Sequence, residues 1–373
     1  MKIKTHIAKH LYKPYKKILF LQDPEKVHDK FTNLGEKLGK SKFKKGTISK
    51  LFNYQNKKLE KKILGITLKN PIGLAAGFDY EGKLTQILPS VGFGFHTIGS
   101  VTYRSYEGNP KPRLARLIKS KSILVNKGLK NTGSKNIISN LKNLNFEIPL
   151  GISIAKTNCK TTSTDKAGIK DYIQSLKLWE SSKLGSYYEI NISCPNVFGG
   201  EPFTTPKKLD FLLREIDKLK IKKPIFLKMP IDLTEKQTNA LCEVALKHNI
   251  HGLIFGNLTK NRNNPHIQEK DLNKISSLKG NLSGLPTKEL SNKLIKFAYK
   301  KYKDKFIIIG CGGVFSAKDA YEKIKLGASL IQLITGIIYQ GPQLIGEINQ
   351  GLISLLEKDG YKNISEAVGE NNG

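Results

Sequence analysis

The chain has 373 residues, 39% of them hydrophobic, enough for one large domain or two ordinary ones. No apolar run approaches the ~18 residues needed to cross a bilayer, and Cys159, Cys194, Cys242 and Cys311 form no CxxC pair, which argues against a disulfide framework or zinc site and for a reducing compartment. The net charge of +32 rests on 58 lysines and only five arginines. Charge of that kind reads as solvated surface lysine, and no nucleic-acid partner is expected, because base recognition leans on bidentate arginine.

The first 60 residues stand apart. Residues 1–62 hold 18 lysines against five acids, over three times the net charge per residue of the remainder. Leu11, Tyr12, Tyr15, Ile18 and Leu19 interleave with lysines, and Val27, Phe31, Leu34 and Leu38 recur at helical spacing after the start signal Asp23-Pro24-Glu25. Two short basic amphipathic helices are expected. Two readings stand: a cap packed on the main domain, or a peripheral anchor with apolar side chains in a membrane interface and lysines on acidic headgroups. There is no long apolar signal core and no arginine-rich transit pattern. An anionic membrane surface, on the cytoplasmic face of the cell membrane, is the expected location of an anchor.

From residue 61 short apolar runs alternate with helical stretches. Strands are predicted at 72–76, 95–98, 149–154, 187–192, 224–228, 252–255, 306–309 and 329–333, with a small strand within 63–68 ahead of them. Helices are predicted between them, for example over 167–180, 206–219, 234–248, 287–301, 316–326 and 342–357. Eight strand–helix units predict an α/β fold of the (β/α)8 TIM-barrel class over residues 61–365, with residues 1–60 as a small helical extension. A doubly wound sheet is the alternative, but it ordinarily has fewer units and a glycine fingerprint after its first strand. Long connections follow strands two, three, four and six, on the face where barrel active sites form. The polar stretch 260–280 is expected to be a mobile lid.

Residues Asn191-Ile192-Ser193-Cys194-Pro195-Asn196 follow the fourth strand. They place a thiol and two carboxamides at a strand end, and a thiol exchanges protons near neutral pH far more readily than an alcohol. Gly310-Cys311-Gly312-Gly313 and Thr335-Gly336 follow strands seven and eight, where barrels bind phosphate through backbone N–H groups. Gly73-Leu74-Ala75-Ala76-Gly77 leaves room for a flat group against the backbone, and Lys228 supplies a cation near it. Asn257 adds an amide to the same mouth. Only His96 of the seven histidines is expected near this face, so neither a metal nor a histidine relay is expected. A flat ring, a terminal phosphate, a lysine and a thiol together point to FMN.

At this point the chain resembles the dihydroorotate dehydrogenase family, in its quinone-dependent class 2 form. The resemblance rests on Asp23-Pro24-Glu25, on Asn70 to Asp79, on Ile98-Gly99-Ser100-Val101-Thr102, on Gly108 to Leu114, on Asn191 to Asn196, on Leu282-Ser283-Gly284 and on Gly310 to Gly313. It implies that Ala76, Gly77, Ser100, Ser153, Asn191, Lys228, Gly256, Gly284, Gly313, Ile334 and Thr335 hold FMN. It implies that Asn191, Asn196 and Asn257 hold dihydroorotate or orotate, with Tyr80, Lys127 and Lys130 also at the substrate. Cys194 is the implied base at C5 of dihydroorotate, with hydride leaving C6 for the flavin. A membrane quinone, arriving between the extension and the barrel, is the implied acceptor in pyrimidine (UMP) biosynthesis.

Several positions depart from the family pattern. Cys194 stands where class 2 carries serine, and Tyr80 where the family carries lysine. Val125, Lys130 and Ser153 stand for asparagines, and Leu258 for a threonine. The hypothesis these departures raise is that Lys127 or Lys130 supplies the missing cation beside the substrate carboxylate. The alternatives are an FMN enzyme acting on another unsaturated heterocycle, such as a dihydrouridine-synthase-like tRNA enzyme, and a flavin-binding barrel that has lost catalysis.

Overall fold

The computed structural model describes residues 2–201 and 203–372. Three helices open the chain: α1 (Lys2–Leu21), α2 (Pro24–Gly39) and α3 (Lys42–Phe52). A hairpin of β1 (Lys61–Ile63) and β2 (Ile66–Leu68) follows. Next come β3 (Ile72–Leu74), α4 (Leu88–Val91), β4 (Phe95–Val101), β5 (Leu114–Leu117), β6 (Ser122–Val125), α5 (Ser134–Leu141) and β7 (Leu150–Ile154). The middle of the chain gives α6 (Asp165–Ser182), β8 (Tyr187–Asn191), α7 (Pro206–Asp217), β9 (Ile225–Met229), α8 (Glu235–Ala245) and β10 (Gly252–Phe255). The last part gives α9 (Glu269–Ile275), β11 (Asn281–Gly284), α10 (Lys288–Tyr302), β12 (Ile307–Cys311), α11 (Ala317–Lys325), β13 (Leu330–Leu333), α12 (Thr335–Gln340) and α13 (Leu344–Asp359).

Strands β3, β4, β7, β8, β9, β10, β12 and β13 close, in that order and all parallel, into a barrel. The eight predicted strands are these eight. They were legible because a strand buried on both faces reads as an unbroken apolar run. Inside the barrel, Phe95, Tyr187, Phe226, Ile254, Ile309 and Leu330 form a floor, closed below by Ile63 and Leu68 of the hairpin. Truncating Phe226, which is almost wholly buried, would cost about 3–5 kcal/mol through lost transfer energy and the cavity left behind. The outward side chains meet the helices, with Trp179, Leu176 and Tyr188 wholly buried among them.

Two features differ from the sequence reading. The extension has three helices rather than two, and it is docked: Tyr12 donates to the Ile338 carbonyl at 2.8 Å, Lys16 to the Tyr339 carbonyl at 3.0 Å, and Asn53 to the Pro89 carbonyl at 3.2 Å. The stretch 260–280 is not a loose lid. It contains α9, and Arg262 donates to the carbonyls of Ile275 and Leu278 at 2.8 and 2.6 Å. The adjoining β11 pairs with β6, which pairs with β5, in a three-stranded antiparallel sheet. Leu117, Leu124, Ile275 and Leu282 form the core beneath it. The polarity of 260–280 belongs to the outer face of that unit.

Candidate active site

A cavity of about 470 Å³ runs from between α1, α2 and α3 to the C-terminal ends of the barrel strands. Its outer end is apolar, with Leu19, Phe20, Val27, Phe31 and Phe52. Its inner end carries Ala76, Gly77, Ser100, Asn191, Lys228 and Asn257 from five strand ends, with Cys194 and Asn196 from the loop after β8. Lys127, Lys130, Arg116 and Lys228 line it, and no Asp or Glu does, so the described wall suits an anionic occupant.

The strand ends fix the inner groups. On β8 side chains alternate, so Glu189 and Asn191 both face the barrel axis. Asn191 Nδ2 donates to Ser100 Oγ at 2.8 Å, and Ser100 Oγ shares a 2.7 Å bond with Ser153 Oγ. Ser193 Oγ donates to the Lys228 carbonyl at 2.9 Å, and Asn257 Nδ2 donates to Ser193 Oγ at 2.7 Å. The ends of β8, β9 and β10 are thus tied together beside the Lys228 side chain. Asn196 Nδ2 donates to the Val125 carbonyl at 2.9 Å, and its Oδ1 accepts from Asn281 at 2.7 Å. It keeps one N–H and one lone pair for a ligand.

Cys194 lies on the cavity wall. Burial pushes its thiol up to about 11, with Lys228 and Lys156 pulling the other way. It therefore rests as a neutral thiol at pH 7. The near-neutral thiol read from the sequence ignored this desolvation.

Two of the departures, Tyr80 and Lys130, fall in one cluster with Lys127, Arg113 and Glu25. Tyr80 lies between the His28 ring, 5.1 Å away centre to centre, and the Lys127 ammonium, 5.0 Å from its ring centre. Lys127 donates to Glu25 Oε1 at 2.8 Å, Arg113 does so at 3.2 Å, and Lys130 Nζ lies 3.9 Å from the same oxygen. Burial raises the Glu25 carboxyl, but Lys127 and Arg113 outweigh it and hold it below its ordinary value. One buried carboxylate from α2 thus meets three cations from the barrel loops. His28, with Nε2 2.7 Å from the Phe78 carbonyl, also lines the cavity. Sequence reasoning missed His28, although it sits between Val27 and Phe31 on the stripe that was singled out. Glu25 and Arg113 lie within the Asp23-Pro24-Glu25 and Gly108–Leu114 motifs, which carry no local sign of this pairing.

Some predicted residues stand off the wall. Ser153 is buried behind Ser100. Gly256 lies against Cys311, where a Cβ would come within 2.1 Å of the Cys311 carbonyl oxygen. Gly284 packs on Lys121 and Thr335, and Gly313 on Lys288. Ile334, Thr335 and Ser283 do line the cavity, and Ser283 Oγ bonds Thr335 Oγ1 at 2.9 Å. His96 is corrected: it is absent from the cavity wall, and its Nε2 is 3.4 Å from Asp79 Oδ2. Burial depresses it to about 3, so it stays neutral there.

The inner end fits a flavin. Gly77, at φ +112°, faces the cavity, and a Cβ there would come within 3.5 Å of Ile334 and narrow the slot between the ends of β3 and β13. Lys228 reaches the same slot from β9, a cation on a wall without a carboxylate.

The dihydroorotate dehydrogenase family model matches residues 58–356. A dihydroorotate dehydrogenase (quinone) of Sulfurovum sp. is 38% identical over 361 residues, covering 96% of this chain and 98% of that one. That of Crocosphaera subtropica is 38% identical over 325 residues, covering 85% of this chain and 84% of its own. Among solved structures, the dihydroorotate dehydrogenase of Eimeria tenella in complex with ferulenol is similar, with a TM-score of 0.81 at 27% identity, covering 94% of this chain and 96% of that one. The motif order, the barrel with its docked extension and these matches lead to one conclusion: the chain belongs to the dihydroorotate dehydrogenase family.

Proposed function

We propose that the protein oxidises dihydroorotate to orotate with bound FMN and a membrane quinone, the quinone-dependent step of pyrimidine biosynthesis. The observation that carries this reading is the single cavity with an apolar end among α1–α3 and a cationic, amide-rich end at Cys194 and Lys228. A lipid-soluble acceptor suits the first end and an anionic heterocycle the second. The tRNA-directed and catalysis-lost alternatives are not favoured by family matches of this length.

FMN, when bound, would supply a hydride acceptor that a quinone can reoxidise. Ala76, Gly77, Ser100, Asn191, Lys228 and Thr335 would hold it, with Ser153 orienting Ser100 and Gly284 and Gly313 shaping the loops behind. In its thiolate form, Cys194 Sγ would take the proton from C5 of the substrate. Asn191, Asn196 and Asn257 orient the pyrimidine, and Lys127 and Lys130 give the substrate carboxylate its cationic side. The loop of Cys194 is clamped by Asn109, which donates to the Asn196 carbonyl at 2.9 Å, and by Lys156, which donates to the Phe198 carbonyl at 2.8 Å.

The extension exposes Leu21 (88%), Phe43 (84%) and Ile18 (57%) on lysine-rich helices. No helix of the described residues is long and apolar enough to cross a membrane. We read this surface as a peripheral contact with anionic lipid on the cytoplasmic face of the membrane, so the cap and anchor readings combine. The purified protein should release FMN on denaturation and form orotate from dihydroorotate only when a quinone is supplied. Release of no flavin, or orotate formation indifferent to quinone, would refute the proposal.

A further inference from the structure

The eight barrel strands contain one carboxylate, Glu189, and one ammonium, Lys228, on the neighbouring strands β8 and β9. Two unlike charges inside an otherwise uncharged barrel wall are costly to bury apart. In the β8–β9 register Asn191 is opposite Lys228, which puts Glu189 one inward-facing layer below the ammonium. Glu189 is wholly buried. Its Oε1 accepts from Thr97 on β4 at 2.7 Å and from Gln332 on β13 at 2.5 Å, bonds that reach across the barrel to strands not adjacent to β8. Thr97 also bonds Tyr187 at 2.8 Å, so a ring of polar groups holds the carboxyl between the apolar floor and the mouth. Its other oxygen, Oε2, has no hydrogen-bond partner among the described residues. Burial raises the Glu189 carboxyl, and Lys228 is the foremost group opposing that rise.

We infer that Glu189 is a positioning residue acting through Lys228: it is the buried counter-charge one layer beneath the ammonium and sets how much positive potential the cofactor ring meets there. The inference rests on the flavin reading above. With Glu189 in place, the ring faces a partly neutralised lysine. Without that charge, it faces a bare one.

The test uses the flavin-loaded full-length protein and Glu189→Gln, which keeps the side-chain shape and leaves an acceptor for Thr97. Two readouts other than turnover report the potential at the ring: the flavin midpoint potential and the affinity of the flavin for sulfite, which binds more tightly where positive charge is exposed. Glu189→Gln should move the midpoint potential positive and tighten sulfite binding by about tenfold, the scale of one lost charge at a partly screened distance. In a Lys228→Met background the same substitution should change sulfite affinity much less, because the residue acts through the lysine. A folded, flavin-loaded Glu189→Gln protein with unchanged potential and sulfite affinity would overturn the inference, as would an equal effect with and without Lys228. Failure of the parent protein to carry flavin would instead overturn the cofactor reading beneath it.

Discussion

The two ends of the cavity are built on different physical terms. The inner end is rigid and polar: it sits on barrel strands, and Ser100, Ser193, Asn191 and Asn257 are locked to one another by hydrogen bonds. The outer end is apolar and formed by helices that dock through a few side-chain bonds and leave large apolar groups in solvent. Chemistry needs groups held to fractions of an ångström, whereas access for a lipid-soluble acceptor needs a greasy, adaptable passage. The contrast predicts that substitutions inside impair flavin reduction, and that substitutions outside impair reoxidation and membrane contact.

The largest effect is expected at Cys194. Cys194→Ala should slow flavin reduction by dihydroorotate by about 10²–10⁴-fold, the usual worth of a positioned base, while Cys194→Ser retains measurable reduction. Equal stopped-flow rates in all three proteins would remove Cys194 from the mechanism. The pH dependence follows from the same thiol. A base with its pKa pushed up to about 11 is mostly protonated at neutral pH. The reduction rate at subsaturating substrate should therefore rise with pH by close to tenfold per unit through pH 7–9. A flat profile over that range would contradict the assignment.

Lys127 and Lys130 probe the substrate side. The double substitution to alanine should weaken orotate binding by about tenfold or more, since a partly buried ion pair is worth a kilocalorie or two; unchanged affinity in a spectral titration would assign the carboxylate to other groups. Glu25→Gln probes the seam between the two ends. It leaves the buried Lys127 ammonium without its counter-charge and should cost about 2–3 kcal/mol, read as a lower melting temperature. Because the Glu25 carboxyl is held below its ordinary value, its stabilisation is present above about pH 4.5 and fades as pH falls further. The smallest effect on chemistry is expected outside: Leu21→Glu with Phe43→Glu should abolish flotation with anionic liposomes and leave reduction by dihydroorotate intact. Undiminished flotation would move the membrane contact elsewhere.

What the sequence disclosed divides along the same line. The barrel strands were readable because double-sided burial leaves an unbroken apolar run, and Cys194, Asn191 and Lys228 were readable because they interrupt or end such runs. Strands β5, β6 and β11 were hidden because they lie within long loops, and β5 and β11 are only half-buried, so they leave no unbroken apolar run. Helix α3, with four lysines and one glycine among eleven residues, offers little apolar periodicity. Glu189 also went unread, since an acid inside an apolar run gives no local sign of what neutralises it. The cluster of Glu25, Arg113 and Lys127 joins positions about a hundred residues apart, a relation that only the docking of α2 creates.

The most direct test of the account is a sequential anaerobic mixing experiment on the full-length protein, followed by the flavin absorbance. Dihydroorotate alone should bleach the flavin, and a quinone added afterwards should restore its colour, with the Leu21→Glu/Phe43→Glu protein bleaching at the parent rate. A protein that does not bleach, or that bleaches and is not restored by quinone, would contradict the division of the cavity into a reducing end and a reoxidising end.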